Sequence, residues 1–464
     1  MSPPLYLDLL SLKSWKQWTL VVVASAALYC LYFFGLTRTG LLGPDEPRYA
    51  AIGQAMAGSG DWITPRLWGH PWFEKPALLY WMTALGFKTG LGPDLAPRLP
   101  VAVASVLFLI YFFFVLRREF GEPAACYATA ILATAGGWLA FSRVAVTDLP
   151  MSAAFAASML ALLGGRPLLA GVLLGLAVLA KGLVPLALFL PALWFLRDRL
   201  RALVLTFSAA AIIAAPWYIL VTLRNGAPFL QDFFWKQHFA RFATGALQHV
   251  QPFWFYVPVL VAGLFPWSPL LVLLFGKRLY KDRRTLFLAA WLVWGFLFFS
   301  VSRNKLPGYL LPLLPALAAL IGIALEQARP RTAFVAALLA SCAALLWFVP
   351  AVQELLPQAL LAGISHAPLR LSATWIAPAL AAAVAGVFLE KTGHRPTAVA
   401  LVALLMTFSV VRLVWVTYPV LDRTVSARSL WRSRQGAIAC VPPGQRSLRY
   451  GLDYYAGRDL PDCN

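Results

Sequence analysis

The sequence predicts an all-α polytopic membrane protein, and three observations carry that reading. The 464 residues are 60% apolar and only 12% charged, against about 45–50% and 25% in ordinary soluble domains. Mean hydropathy is +0.72. The apolar residues, among them 18 Trp and 31 Phe, fall in runs long enough for a hydrocarbon core about 30 Å thick. Disorder is excluded, because a disordered chain is poor in such residues. Five cysteines are too few for a disulfide scaffold. The net charge of +20 sits in short clusters between apolar runs, as membrane topology demands, so no nucleic-acid partner is expected.

In chain order the apolar runs are 17–37, 96–116, 123–141, 149–163, 168–180, 183–196, 202–222, 252–275, 285–301, 308–325, 333–350, 373–389 and 397–418. That predicts about thirteen transmembrane helices, since only helices or closed barrels satisfy the backbone in lipid. The first run is too long for a signal-peptide core and reads as an uncleaved anchor. With thirteen spans, alternate connections share a side. One set, 1–16, 117–122, 164–167, 197–201, 276–284, 326–332 and 390–396, holds 17 Lys and Arg in 54 residues. The opposite set is much sparser, so the dense set is expected to be cytoplasmic, with the N-terminus inside and the C-terminus outside. Residues 1–418 would form the transmembrane domain and 419–464 a short outer tail, with Cys440 and Cys463 paired where disulfides persist.

The long outside segments, 38–95 and 223–251, carry charges of both signs among aromatics, which the positive-inside rule does not explain. In Gly43-Pro44-Asp45-Glu46-Pro47-Arg48-Tyr49 the acids open a short helix, where anions are favoured. Tyr49, Ile52 and Met56 form an apolar stripe that would lay this helix in the interface. Asp45 reads equally as a site carboxylate or a helix cap. Glu74-Lys75 before Pro76 reads as a surface ion pair or as a cation held at headgroup level. Asp148 and Lys181 lie at outer ends of spans; ionisable groups within spans cost roughly 2.5–3.5 kcal/mol to insert and are functional by default. His238 and Arg241 share a helical face within FFWKQHFARF, and Ser302-Arg303-Asn304-Lys305-Leu306-Pro307-Gly308-Tyr309 supplies two cations and a phenol. Glu74 with His238 is a weak metal pattern. There is no phosphate loop, dinucleotide fingerprint or Asp-x-Asp pair, so no nucleotide cofactor is expected.

The run GPDEPRYAAIGQAMAGSGDWITPRLWGHPWFEKPALLYW resembles the first outer loop of the bacterial aminoarabinose (lipid A) transferase family. That family stands with the protein O-mannosyltransferases in the C superfamily of integral-membrane glycosyltransferases (GT-C). The likeness continues in order through APRLP at 96–100, VTD at 146–148, Lys181-Gly182, FFWKQHFARF, QPFWFYVPVL with LFPWSPL, and SRNKLPGYLLPLLP, over roughly residues 40–320. It implies inverting transfer of a sugar, aminoarabinose or another, from a polyprenyl-phosphate donor to lipid A or another envelope acceptor. The reaction would take place at the periplasmic face of the bacterial inner membrane. Carried over, Asp45 and Asp148 match the catalytic carboxylates. Lys75, Arg241 and Tyr309 match the positions that hold the donor phosphate, with Arg48, Lys181 and Lys305 as further cations beside it. Glu74 and His238 match a pair that binds zinc in some members. The tail of 46 residues, with seven Arg and four Asp, is shorter than the soluble domain of members that act on lipid A.

The chemistry agrees with that resemblance. A departing polyprenyl phosphate gathers negative charge that preorganised Lys and Arg stabilise. A facing carboxylate can take a proton from an acceptor hydroxyl, or orient an acceptor phosphate that is already nucleophilic. The alternatives are a transferase for a protein or glycan hydroxyl, and a lipid-linked-sugar flippase. A transporter should show mid-span charges and paired, broken half-helices, whereas the charges here gather at one face.

Overall fold

The structure is a computed structural model that describes residues 15–240, 250–363, 366–434 and 437–463, with backbone alone at 16, 17, 20 and 238–240. Among these, seven helices are long and apolar enough to cross a membrane: Leu99–Phe120, Leu200–Asn225, Arg283–Val301, Pro307–Gln327, Ala333–Ala362, Ala373–Lys391 and Arg395–Thr424. Two more candidate spans are bent. Glu122–Thr134 turns by 59° into Gly136–Ser142, and Phe253–Gly263 by 112° into Ser268–Phe275. Shorter apolar helices cover Val21–Tyr32, Asp148–Leu163 and Pro167–Lys181. The run 183–196 is broken into Val184–Leu188 and Leu190–Phe195, each with a proline in its first turn. Every apolar run of the sequence thus lies on helix.

Burial orders the helices from the inside out. The window of Pro307–Gln327 is 94% buried, and that of Ala373–Lys391 only 11%. Helix Asp148–Leu163 is buried along nearly its whole length, packed between Leu99–Phe120 and Pro167–Lys181. Its Ala and Ser residues let neighbours approach closely, as helix packing in lipid favours.

The first outer loop departs from expectation. Helix Asp45–Ser59 does not present its apolar stripe to the membrane interface. Tyr49, Ile52 and Met56 are all buried within the protein, against helix Leu78–Lys88, with the Tyr49 and Tyr80 rings 6.0 Å apart. Gly53 permits this, because a Cβ there would stand 2.5 Å from Thr83 Cγ2. The loop's second helix supplies the apolar partner that lipid was expected to supply. Between the helices a two-residue hairpin pairs Arg66–Leu67 with His70–Pro71, the one sheet among the described residues. Trp68 and Gly69 at its tip both have positive φ, the geometry of a tight hairpin turn.

The tail folds as helices Tyr418–Thr424, Ala427–Ser433 and Arg446–Ala456 around a small core of Ala427, Val441, Leu452 and Leu460. Cys440 and Cys463 are bonded, S–S 2.01 Å. It is docked on the first outer loop. Arg428 pairs with Asp94 at 2.6 Å and Asp422 at 2.9 Å, Asp422 accepts from the Gly40 amide at 2.7 Å, and Tyr455 donates to Asp94 at 2.8 Å.

Asp453 in this tail is 1% exposed. One oxygen accepts from the Leu460 amide, and the other has no partner among the described residues. Burial pushes its carboxyl up to about 6. A raised carboxyl stabilises the fold fully below the unfolded value near 4, and that contribution is lost as pH rises through about 6. Amides of 446–460 should therefore be better protected from hydrogen exchange at pH 5 than at pH 7.5, after correction for intrinsic rates. Asp453→Asn should raise protection at pH 7.5, by up to about a hundredfold, and flatten the profile. A variant as pH-dependent as the parent would refute this.

Candidate active site

Asp45 is the first residue of its helix, with Pro44 at the N-cap and no side-chain cap bond. Its carboxylate is half exposed and accepts from Arg48 Nη2 at 2.5 Å, while Arg48 itself is 2% exposed. The same Nη2 meets Glu74 Oε2 at 2.9 Å. Glu74 Oε1 lies 3.3 Å from Lys75 Nζ and accepts from the Tyr49 hydroxyl at 3.4 Å. The Arg48 guanidinium is enclosed by Tyr49, Trp72 and Tyr450, with ring centroids 5.2–5.4 Å away. An open carboxylate thus rests on a buried cation, and a second carboxylate links that cation to Lys75.

Why Asp45 faces open space is decided by its neighbour. Glu46 is fully buried and forms a two-pronged pair with Arg98, 2.7 Å at each oxygen. It also accepts from the Leu42 amide at 2.8 Å and the Ala145 amide at 2.9 Å. Arg98 donates further to the carbonyls of Leu36, Thr39 and Gly40. With Glu46 pinned inward at the first turn, the preceding side chain is directed elsewhere.

Ala145 leads to the second cluster, three residues on. Asp148 opens helix Asp148–Leu163 and pairs at 2.6 Å with Lys181, the last residue of Pro167–Lys181. A cation is favoured at a helix C-terminus and an anion at an N-terminus, so both helix ends favour this pair. Lys181 Nζ lies 4.8 Å from the centre of the Tyr309 ring. Gly308 permits the approach, since a Cβ there would stand 2.8 Å from Asp148 Oδ1 and 2.7 Å from Phe141 Cζ. Lys305 is 4% exposed and donates to the carbonyls of Ser302 and, at 3.2 Å, Gln251. Burial holds its ammonium below the ordinary lysine range.

The structure thus joins Asp45, Arg48, Glu74 and Lys75 in one network, and Asp148, Lys181 and Tyr309 in another. Lys305 is held on backbone. Arg241 lies outside the described residues, as does the side chain of His238. No group of three His, Cys, Asp or Glu that could hold a metal occurs among the described residues. Sequence reasoning missed the pairing of Glu46 with Arg98, and also Arg143, which donates to the carbonyls of Leu31 and Phe34 at 2.7 and 2.6 Å. Both arginines stand at span ends on the side poor in positive charge, and that anomaly was the available signal.

Residues 18–227 match the family "Dolichyl-phosphate-mannose-protein mannosyltransferase", a stretch that holds Asp45, Glu74, Asp148 and Lys181. An undecaprenyl phosphate-α-4-amino-4-deoxy-L-arabinose arabinosyl transferase of Pseudomonas aeruginosa is 38% identical over 336 residues, 67% of this chain and 60% of its own length. The crystal structure of ArnT from Cupriavidus metallidurans bound to undecaprenyl phosphate superposes with TM-score 0.78 and 28% identity. It covers 96% of this chain and 86% of that one. The chain is a relative of the aminoarabinose transferases. It spans about three fifths of the length of the curated relatives it matches. The archaeal oligosaccharyltransferase AglB of Archaeoglobus fulgidus, at 15% identity and TM-score 0.52 over 97% of this chain and 65% of that one, shows the shared fold alone.

Proposed function

We propose that this relative of the aminoarabinose transferases moves a sugar, aminoarabinose being the candidate, from undecaprenyl phosphate to lipid A or another envelope acceptor, with inversion. The observation that carries this is the half-exposed Asp45 seated on buried Arg48, within a fold like that of an ArnT solved with undecaprenyl phosphate. Asp45 would take the proton of an acceptor hydroxyl or orient an acceptor phosphate, with Arg48 fixing its position. The anionic leaving phosphate would be met by Lys75, Arg241 and the Tyr309 hydroxyl, a point charge, a fork and a neutral donor. Asp148 would hold Lys181 in place beside that phosphate. Metal at Glu74 and His238 would have to share a carboxylate already held by Arg48 and Lys75, so the steps above use the cations alone.

The test is transfer by the purified chain in detergent, with undecaprenyl-phosphate aminoarabinose as donor, lipid A as acceptor and mass spectrometry as readout. Addition of the sugar mass is expected. Transfer to a protein hydroxyl and not to lipid A would favour the mannosyltransferase-like alternative, which the family match over 18–227 keeps open. Lys75→Ala should weaken undecaprenyl-phosphate binding by about tenfold or more, as loss of a charge-assisted hydrogen bond implies. Unchanged binding would remove Lys75 from the phosphate.

The thirteen apolar runs support thirteen spans in the bacterial inner membrane. The dense Lys and Arg connections support a cytoplasmic N-terminus, with the tail and the site periplasmic. A reporter active only in the cytoplasm, fused after Asn464, should stay silent. Activity there would place the site on the other side.

A further inference from the structure

Away from both carboxylate clusters, helices Ala333–Leu345, Ile376–Lys391 and Arg395–Val416 leave a narrow apolar slot of about 140 Å³, walled by residues such as Leu346, Ala382 and Phe408. A second cavity of about 460 Å³ adjoins the slot. Pro350, Trp375 and Arg412 line both. This outer chamber has a mixed lining whose polar groups include Gln353, Glu354 and Arg370 beside Arg412. Arg412 lies over the Trp375 ring at 4.7 Å and donates from Nε to Gln353 Oε1 at 3.2 Å. Neither Arg412 nor Arg370 pairs with a carboxylate among the described residues. Gln353 is only 6% exposed, yet its Nε2 has no hydrogen-bond partner among the described residues.

The chamber lies at the same end of the bundle as the first outer loop. The Gln353 carbonyl accepts from Thr417 Oγ1 at 3.4 Å. The next residue, Tyr418, accepts from Arg143, which lies two residues before the Ala145 amide bound by Glu46. The slot therefore runs from that outer end toward the membrane interior.

The geometry points to a binding site for one anionic glycerophospholipid of the surrounding bilayer, with an acyl chain in the slot and its phosphate on Arg370, Arg412 and Gln353 Nε2. Buried donors are expected to be paired, and an unpaired amide beside a stacked guanidinium is a place prepared for an acceptor. Basic pockets between membrane helices bind lipid headgroups by this chemistry. Two arginines against the exposed Glu354 leave one net positive charge, which matches a single phosphodiester. A slot this narrow takes one chain, so the second acyl chain would stay in the bilayer.

The experiment uses the full chain in nanodiscs of equal phosphatidylglycerol and phosphatidylethanolamine, released for native mass spectrometry. The wild type should retain phosphatidylglycerol over phosphatidylethanolamine. Arg370→Ala/Arg412→Ala should lower that retention at least about fivefold, with undecaprenyl-phosphate binding unchanged as a check on the fold. Ala382→Phe, which fills the slot and leaves both arginines, should lower it too. Equal retention by either variant would overturn the site. Displacement of phosphatidylglycerol by equimolar undecaprenyl phosphate or lipid A would overturn it as well, because the occupant would then be donor or acceptor.

Discussion

Replacing Asp45 with asparagine is expected to cut transfer at least about a hundredfold, the lower bound for loss of a positioned general base, while undecaprenyl-phosphate binding stays close to that of the parent. Asparagine keeps the size of the side chain and can still accept from Arg48, so the network that links Arg48 to Glu74 and Lys75 should survive. Only charge and basicity go. A capping role would predict a small loss, since asparagine caps helices about as well as aspartate. The structure already argues against a cap, because Pro44 holds the cap position and the Asp45 carboxylate is turned to Arg48. Turnover above about a tenth of the parent, measured with purified enzyme and saturating donor, would remove Asp45 from the chemistry.

The largest effect on stability is expected at Arg98. Arg98→Ala would leave the fully buried Glu46 without its cation and three loop carbonyls without a donor. Breaking a buried pair from one side costs about 3–5 kcal/mol. The thermal midpoint of the detergent-solubilised protein should fall clearly, and transfer with it, because the same pair seats the helix that carries Asp45. Arg98→Leu combined with Glu46→Leu should do less harm than Arg98→Ala, since removing both charges leaves none stranded. A single variant that melts like the parent would show that solvent reaches Glu46.

The sequence made some of this legible and hid the rest for physical reasons. Hydropathy is a local property, so each apolar run landed on helix. The bends at Ala135 and before Ser268, and the division of 183–196, were hidden, because they depend on how neighbours pack. Asp45, Glu74, Lys75, Asp148, Lys181 and Tyr309 could be picked out as charges or phenols on the side where topology does not require them. Their partners could not. Arg48 looked like one more phosphate ligand, yet it underlies two carboxylates, and Glu46, adjacent to Asp45, faces the opposite way into Arg98. Composition and spacing say which groups are costly to place, and only the fold says which of them meet. The stripe of Tyr49, Ile52 and Met56 makes the same point: an apolar face needs a cover, and the sequence alone did not distinguish lipid from the helix at 78–88.

The docking of the tail also bears on the order of events during synthesis. Arg428 joins Asp94 across 334 positions of chain and the Thr37 carbonyl across 391. At ribosomal speeds of 5–20 residues per second, Asp94 would wait roughly 20–70 s for Arg428 to be made. During that interval the loop bearing Asp45 lacks its clamp, and Tyr450 has not yet closed over Arg48. The nascent chain therefore carries an unclamped Asp45 loop until its last helices are made, and completion of that contact is timed by translation itself.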